Sequence, residues 1–242
     1  MINKSLVKER FKKSLDTYCE NSFVQNQMAE NLIKMAKPIK KFDSILELGC
    51  GSGLLTQKLI KNFEFETYDA VDIVDDCAKY INKISNKINF INKDIEEFSS
   101  DKKYNLIISN ATFQWVEKFP DFLSKIYENL EENGMFIFST FGVDNLKEIK
   151  QVTNEGLMYF SCEEMKNILQ EYAPFSLREE VVKMSFPSAR EILKHLKLTG
   201  VNSLVQKQWT KSDMKKFEED YNKISPNNEL TYHPIYVAIV KI

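Results

Sequence analysis

The chain has 242 residues, 43% of them hydrophobic, and a formal net charge of -2. That length suits one α/β domain with a large core, and the charge balance argues against a general nucleic-acid binder. No apolar run is long enough for a membrane, the start M-I-N-K-S-L-V-K-E-R is polar, and Cys19, Cys50, Cys77 and Cys162 show no paired or metal-type spacing, so a cytoplasmic protein with reduced thiols is expected.

Residues 5–17 and 22–37 read as two helices, with apolar positions at Leu6, Phe11 and Leu15, then Val24, Met28, Leu32 and Ile33; Pro38 ends the second. Ser44–Leu48 is a first strand, and the glycines after it open a helix to about Asn62. A second strand spans Tyr68–Ile73 and a helix Asp75–Ile84. Ile88–Asn92 is a third strand, closed by Asp94. Tyr104–Asn110 is apolar enough to be a central fourth strand. A helix over 119–131 and a fifth strand at Gly134–Phe141 follow. Ser161 caps a helix to Tyr172, with Glu164 completing a capping box. Leu177–Phe186 reads as a sixth strand and Val237–Ile242, led in by Tyr232–Tyr236, as the last. Between them, helices at about 188–199 and 211–224 form an insertion suited to a lid.

Strands alternating with helices imply a Rossmann-like, mostly parallel sheet with helices on both faces. At the end of the first strand stands S-I-L-E-L-G-C-G-S-G-L-L, with Glu47 followed by Gly49, Gly51 and Gly53. The spacing G-x-G-x-G differs from the G-x-G-x-x-G that seats a pyrophosphate, and the acid would repel a phosphate. It suits a ligand with an ammonium and a ribose, and S-adenosylmethionine has both. Cys50 reads as a small packing residue, since no base or metal set surrounds it.

These residues resemble the class I S-adenosylmethionine-dependent methyltransferases, which carry an acid before the glycine loop, an acid ending the second strand (here Asp72) and one after the third (Asp94). The resemblance implies a seven-stranded sheet whose last strand is antiparallel beside the sixth. A closer resemblance, to the malonyl-acyl-carrier-protein O-methyltransferase family of biotin synthesis, covers nearly the whole chain. It rests on Phe11–Ala29, on S-N-A-T-F-Q-W (Ser109–Trp115), on L-K-H-L-K-L-T-G-V-N (Leu193–Asn202) and on L-T-Y-H-P-I-Y (Leu230–Tyr236). Ser14 departs from the alanine common in that family.

The resemblance implies a single domain over 1–242, cofactor-covering helices in 1–40 and a lid at 187–230. It places Gly49 and Gly51 against the methionine part of the cofactor and Asp72 on the ribose hydroxyls. Ile73 and Ile95 flank the adenine, Asp94 meets its amino group, and Asn110 lies near the transferable methyl. Tyr18, and with it Gln25, closes the pocket. Trp115 either packs on the sulfonium or walls the substrate, beside Gln114. His233 either lines the pocket or bonds structurally, and Trp209 packs. No metal site is expected.

The substrate is then a malonyl thioester, on an acyl carrier protein, with no nucleic acid or membrane as partner. A carboxylate is already ionised at neutral pH and needs no general base. Its cation is expected from the residues themselves. Arginine occurs only at positions 10, 178 and 190, and Arg190 opens the lid helix. Lys194, Lys197, Lys207, Lys211, Lys215 and Lys216 would form a basic docking face. Rival readings are a methyltransferase for another small carboxylate, or a cofactor-binding protein without turnover. A nucleic-acid methyltransferase is disfavoured because no N-P-P-Y tetrad follows the fourth strand.

Overall fold

The computed structural model describes residues 2–37, 39–172, 174–201 and 210–242, so Pro38, Asn202, Lys207 and Trp209 lie outside the described residues. Its main sheet has the order β3-β2-β1-β4-β5-β9-β6. The strands are β1 Lys41–Leu48, β2 Glu64–Asp72, β3 Asn89–Asn92, β4 Tyr104–Asn110, β5 Leu130–Phe141, β6 Phe175–Glu179 and β9 Pro234–Val240. The first five pair in parallel, and β9 runs antiparallel between β5 and β6. The expected seven-stranded, mostly parallel sheet with its last strand inserted beside the sixth is therefore present.

Alternation along the strands divides the core into two layers. Ile45, Leu106, Ile108 and Ile137 face one layer with Met28 and Leu32. Leu46, Leu48, Ile107, Phe136 and Phe138 face the other, with Phe113 and Leu123. Helices α1 Lys4–Asn21, α2 Phe23–Ala36, α3 Leu54–Asn62, α4 Cys77–Ile84 and α5 Phe119–Glu128 connect or precede the parallel strands. The strand order reverses between β1 and β4, and the crevice at their carboxyl ends is where ligands bind in such sheets.

Two elements differ from the sequence reading. The single strand expected over Leu177–Phe186 is two. β6 ends at Glu179, and β7 (Val182–Ser185) pairs antiparallel with β8 (Glu229–Tyr232) in a separate ribbon. The break is set by Pro234, which starts β9 and has no N–H to extend the ladder beyond the Glu179–Ile235 pair. Helix α6 (Lys147–Thr153) has no counterpart in the sequence reading. It is seven residues long and buries only Glu148 and Ile149, too few apolar positions to show a period.

Helix α7 (Cys162–Leu169) carries the expected capping box between Ser161 and Glu164. The insertion holds α8 (Ala189–Leu198) and α9 (Lys211–Ile224). Helix α8 ends against α1: Thr17 Oγ1 donates to the Leu198 carbonyl at 2.9 Å. Gly200, at φ +71°, lies where a Cβ would meet Ser14 Oγ at 2.7 Å. That contact accounts for the glycine of the Leu193–Asn202 segment.

Candidate functional site

The crevice between β1 and β4 opens into a cavity of about 1010 Å³, counting its mouth. Tyr18, Glu47, Gly49, Gly51, Asp72, Ile73, Asp94, Ile95, Asn110 and Trp115 all line it. These are the candidate cofactor and closing residues singled out in the sequence, Gln25 and Arg190 excepted. Helix α1 roofs the cavity with Lys4, Val7, Phe11, Ser14 and Leu15, of which the last three lie in the Phe11–Ala29 segment.

The loop after β1 is held by its neighbours. The Gly49 and Cys50 N–H groups both donate to the Val71 carbonyl, at 2.8 and 3.1 Å. Gly51 has φ +53°, and a Cβ there would meet nothing within 4 Å, so the missing side chain leaves room in the cavity. Its N–H donates to Asp72 Oδ2 at 2.9 Å, and the Val74 N–H donates to Oδ1 at 2.8 Å. The Cys77 thiol bonds the same carboxylate, which keeps acceptor capacity for a further donor. Burial raises the Asp72 carboxyl above its ordinary value, against the lowering effect of those two N–H groups.

Glu47 is 1% exposed, and its Oε2 accepts from the Tyr68 hydroxyl and, at 2.7 Å, from Thr56 Oγ1. Burial outweighs these donors and pushes its carboxyl up to about 7. Asp94 is tied to α1, with Oδ2 taking the Lys4 ammonium at 2.6 Å and Oδ1 the Glu96 N–H at 3.0 Å. Cys50 is buried, and desolvation raises its thiol, as suits an inert packing residue.

Asn110 is clamped at the end of β4. Its Nδ2 donates to the Gln25 carbonyl at 3.0 Å, and its Oδ1 accepts from Ser139 Oγ at 2.8 Å. Ala111 follows with φ +51°, a left-handed conformation uncommon for alanine. Its N–H donates to the Ser139 carbonyl and hydroxyl, both at 3.1 Å. Strain of this kind, held in place by hydrogen bonds, clusters at functional sites.

A second, smaller cavity of about 360 Å³ shares Phe11, Tyr18, Ala111 and Trp115 with the first. The Phe11 and Trp115 rings meet edge to face, with centroids 5.7 Å apart. Gln25 and Gln114 line this second cavity rather than the first, with Tyr159, Thr199 and Tyr232. Tyr159 carried no sequence signal, since it reaches the cavity through long-range packing, whereas Thr199 lies in the Leu193–Asn202 segment.

Arg190 stands apart. It lines neither cavity, and its guanidinium makes a fork to Glu218 on α9, Nε to Oε1 at 2.7 Å and Nη2 to Oε2 at 2.8 Å. Its side chain is 61% exposed. The expected anchoring of a substrate carboxylate by Arg190 is not met, because the helix that carries it presents it to α9 and solvent.

The expected basic face is also interleaved with acids, Lys194 pairing with Glu191 and Lys215 with Glu219. His233 lines neither cavity. Its Nδ1 accepts from the Asp144 N–H at 3.2 Å, and its Nε2 lies 2.8 Å from Glu179 Oε2, which joins β6 to the loop after β5. Among the described residues no cluster suited to a metal ion occurs. None of the described helices is long and apolar enough to cross a membrane.

A family model described as "Methyltransferase domain" matches residues 21–202. The malonyl-acyl-carrier-protein O-methyltransferase of Calditerrivibrio nitroreducens is 36% identical over 239 residues, 97% of this chain and 96% of that protein. The enzyme of the same name from Acinetobacter baylyi is 36% identical over 247 residues, 98% of this chain and 96% of that one. Among solved structures, phosphoethanolamine N-methyltransferase 2 of Haemonchus contortus, in complex with S-adenosylmethionine, superposes with a TM-score of 0.60 at 13% identity, over 96% of this chain and 57% of that one. The YcgJ protein of Bacillus subtilis gives a TM-score of 0.65 at 9% identity, over 89% of this chain and 98% of that one. At these identities the two structures show a shared fold.

Proposed function

The chain belongs to the malonyl-acyl-carrier-protein O-methyltransferase family, and we propose that it converts the free carboxylate of a malonyl thioester to its methyl ester with S-adenosylmethionine as methyl donor. On this reading it acts at the start of the pimeloyl chain of biotin, with the thioester carried by an acyl carrier protein. The observation that carries the proposal is the pair of cavities meeting at Phe11, Tyr18, Ala111 and Trp115. One is lined for a nucleoside and a cation, the other for a small acyl group.

The donor set of the larger cavity fits S-adenosylmethionine. The open face at Gly51 admits a ligand against the main chain. Asp72 would take the ribose hydroxyls, and Ile73 and Ile95 would flank the purine. Asp94 would meet the purine's amino group alongside Lys4, and Gly49 and Glu47 would bound the methionine part. When bound, the cofactor supplies an electrophilic methyl group on a positively charged sulfur.

The chain's own part is placement and exclusion of water. The substrate carboxylate has a reference pKa near ~4 and arrives ionised, so no residue has to remove a proton. Tyr18, Trp115 and Phe11 wall the junction, and Asn110, fixed by Gln25 and Ser139, holds the end of β4 beside it. Fixing two reactants in line is worth roughly 7–11 kcal/mol of barrier. A base-free site of this kind can methylate a carboxylate and is poorly equipped for an alcohol.

The test is an assay of S-adenosylmethionine-dependent turnover with malonyl thioester, succinyl thioester and free malonate in parallel, read by product mass. The malonyl thioester should gain one CH2 and free malonate should stay unmodified. Equal turnover of free malonate would move the assignment to a general carboxylate methyltransferase.

A further inference from the structure

Among its described lining residues the second cavity has no Lys, Arg, His, Asp or Glu. What it has are polar atoms without partners. Trp115 Nε1, Gln25 Oε1 and Gln114 Oε1 are each buried with no hydrogen bond. Gln114 is oriented by its other end, Nε2 donating to the Ala111 carbonyl at 2.6 Å. Buried polar atoms are normally paired, so three orphans around one cavity point to a ligand that completes them. Two are acceptors, which would repel an anion laid against them. The indole N–H is the donor.

Two described cations on neighbouring elements, α1 and α8, are paired with acids. Lys4 is held by Asp94 and Glu96 on the roof of the larger cavity, and Arg190 by Glu218 at the surface. A carboxylate brought into the acyl cavity thus meets neutral donors, the unpaired indole N–H among them, and no counter-ion among the described lining residues, and a buried unpaired carboxylate is costly. The compensating charge has to come from the ligand next door.

We propose that the described residues supply no cation to the acid substrate. The Trp115 indole N–H holds the carboxylate in the acyl cavity, and the sulfonium of the methyl donor is its counter-ion. The inference rests on the reading of the larger cavity as the S-adenosylmethionine site. Its consequence is an electrostatic order of binding. The acid enters the complex with the charged donor and is excluded from the complex with S-adenosylhomocysteine, whose sulfur is neutral. Methyl transfer removes both charges together, so ester and thioether lose their hold on one another at the moment they form.

The experiment is calorimetry on the full chain, preloaded either with sinefungin, whose amine carries a positive charge near the position of the sulfonium, or with S-adenosylhomocysteine. The titrant is malonyl-pantetheine, and neither complex turns over. The acid should bind the sinefungin complex at least tenfold more tightly, while the neutral methyl ester binds both alike. Trp115→Phe keeps the ring and deletes the N–H. It should weaken the acid on the sinefungin complex about fivefold and leave sinefungin affinity within twofold. Equal affinity of the acid for both complexes would overturn the inference and leave the methyltransferase reading standing. So would an unchanged affinity in Trp115→Phe. Binding of the acid to neither complex would overturn the malonyl reading with it.

Discussion

Asp72 has two tasks that a single substitution separates poorly. It braces the loop through the Gly51 and Val74 N–H groups, and its remaining acceptor sites face the cavity. Asp72→Ala should weaken S-adenosylhomocysteine binding by about 1.5–3 kcal/mol, the range for hydrogen bonds to a charged group. It should also lower the melting temperature of the free protein, because two N–H groups lose their acceptor. Calorimetry beside thermal melting checks both, and unchanged affinity would remove Asp72 from the site. Glu47 gives a pH signature. Its folded-state value of about 7 lies above the ordinary 4.5, so the native protein keeps a proton the unfolded chain has released. Stability should therefore fall as pH rises from about 4.5 to 7, by up to about 3 kcal/mol from this group. Glu47→Gln can still accept from Tyr68 and Thr56 and should flatten that slope in melts between pH 5 and 7.5. An identical slope in the variant would place the pH dependence elsewhere. The acid before the glycine loop was legible from its position, whereas its burial beside Tyr68 and Thr56 follows from the packing of β2 and α3 onto β1.

Helix α1 is held over the larger cavity chiefly by ion pairs and small contacts. Lys4 meets Asp94 and Glu96, Lys12 reaches Asp76 at 2.7 Å, and Thr17 bonds the end of α8. Lys4 joins the roof to the acid that was expected to face the purine. Partly exposed pairs of this kind are worth roughly 0.2–1 kcal/mol. Lys4→Met should therefore speed S-adenosylhomocysteine dissociation by about two- to fivefold in stopped-flow measurements, and added salt should shrink the difference. A dissociation rate equal to wild type at low salt would show that α1 is held by its apolar face alone. The parallel strands and their helices were legible because their periods are long and their ends are marked by Gly, Asp and Ser. Helix α6 and the break between β6 and β7 were not. The first lacks an apolar period, and the second depends on which strand Pro234 comes to lie beside.

At the scale of the molecule, the residues read as cofactor-binding meet at one crevice, and Arg190 lies away from it. Residues on the sheet edge report their position through strand ends, and eight of them, from Glu47 to Asn110, converge on one cavity with Tyr18 and Trp115. Arg190 was singled out for rarity and for opening the lid helix, neither of which fixes the direction a side chain takes. Its fork to Glu218 is an exposed pair, so Arg190→Ala should cost stability about 0.2–1 kcal/mol and leave kcat/KM on malonyl thioester within twofold. A larger loss of kcat/KM at normal stability would restore it to the site. The second cavity is assembled from α1, α2, the turn after β4, the segment after β5, α8 and β8; the four segments that carry the resemblance each reach it, while Asn145, Leu146 and Tyr159 come from stretches without a motif.

The reaction is defined by where the methyl group goes. A malonyl thioester offers a carboxylate oxygen and an acidic carbon, and the described cavities provide no base placed for the carbon. Incubation with methyl-¹³C-labelled S-adenosylmethionine and malonyl-acyl carrier protein, followed by carbon NMR, reads the new bond directly. The expected result is a single labelled methoxy carbon of a methyl ester that mild alkali releases as methanol. Label in a C–CH3 group, or on the protein rather than the acyl chain, would contradict the account.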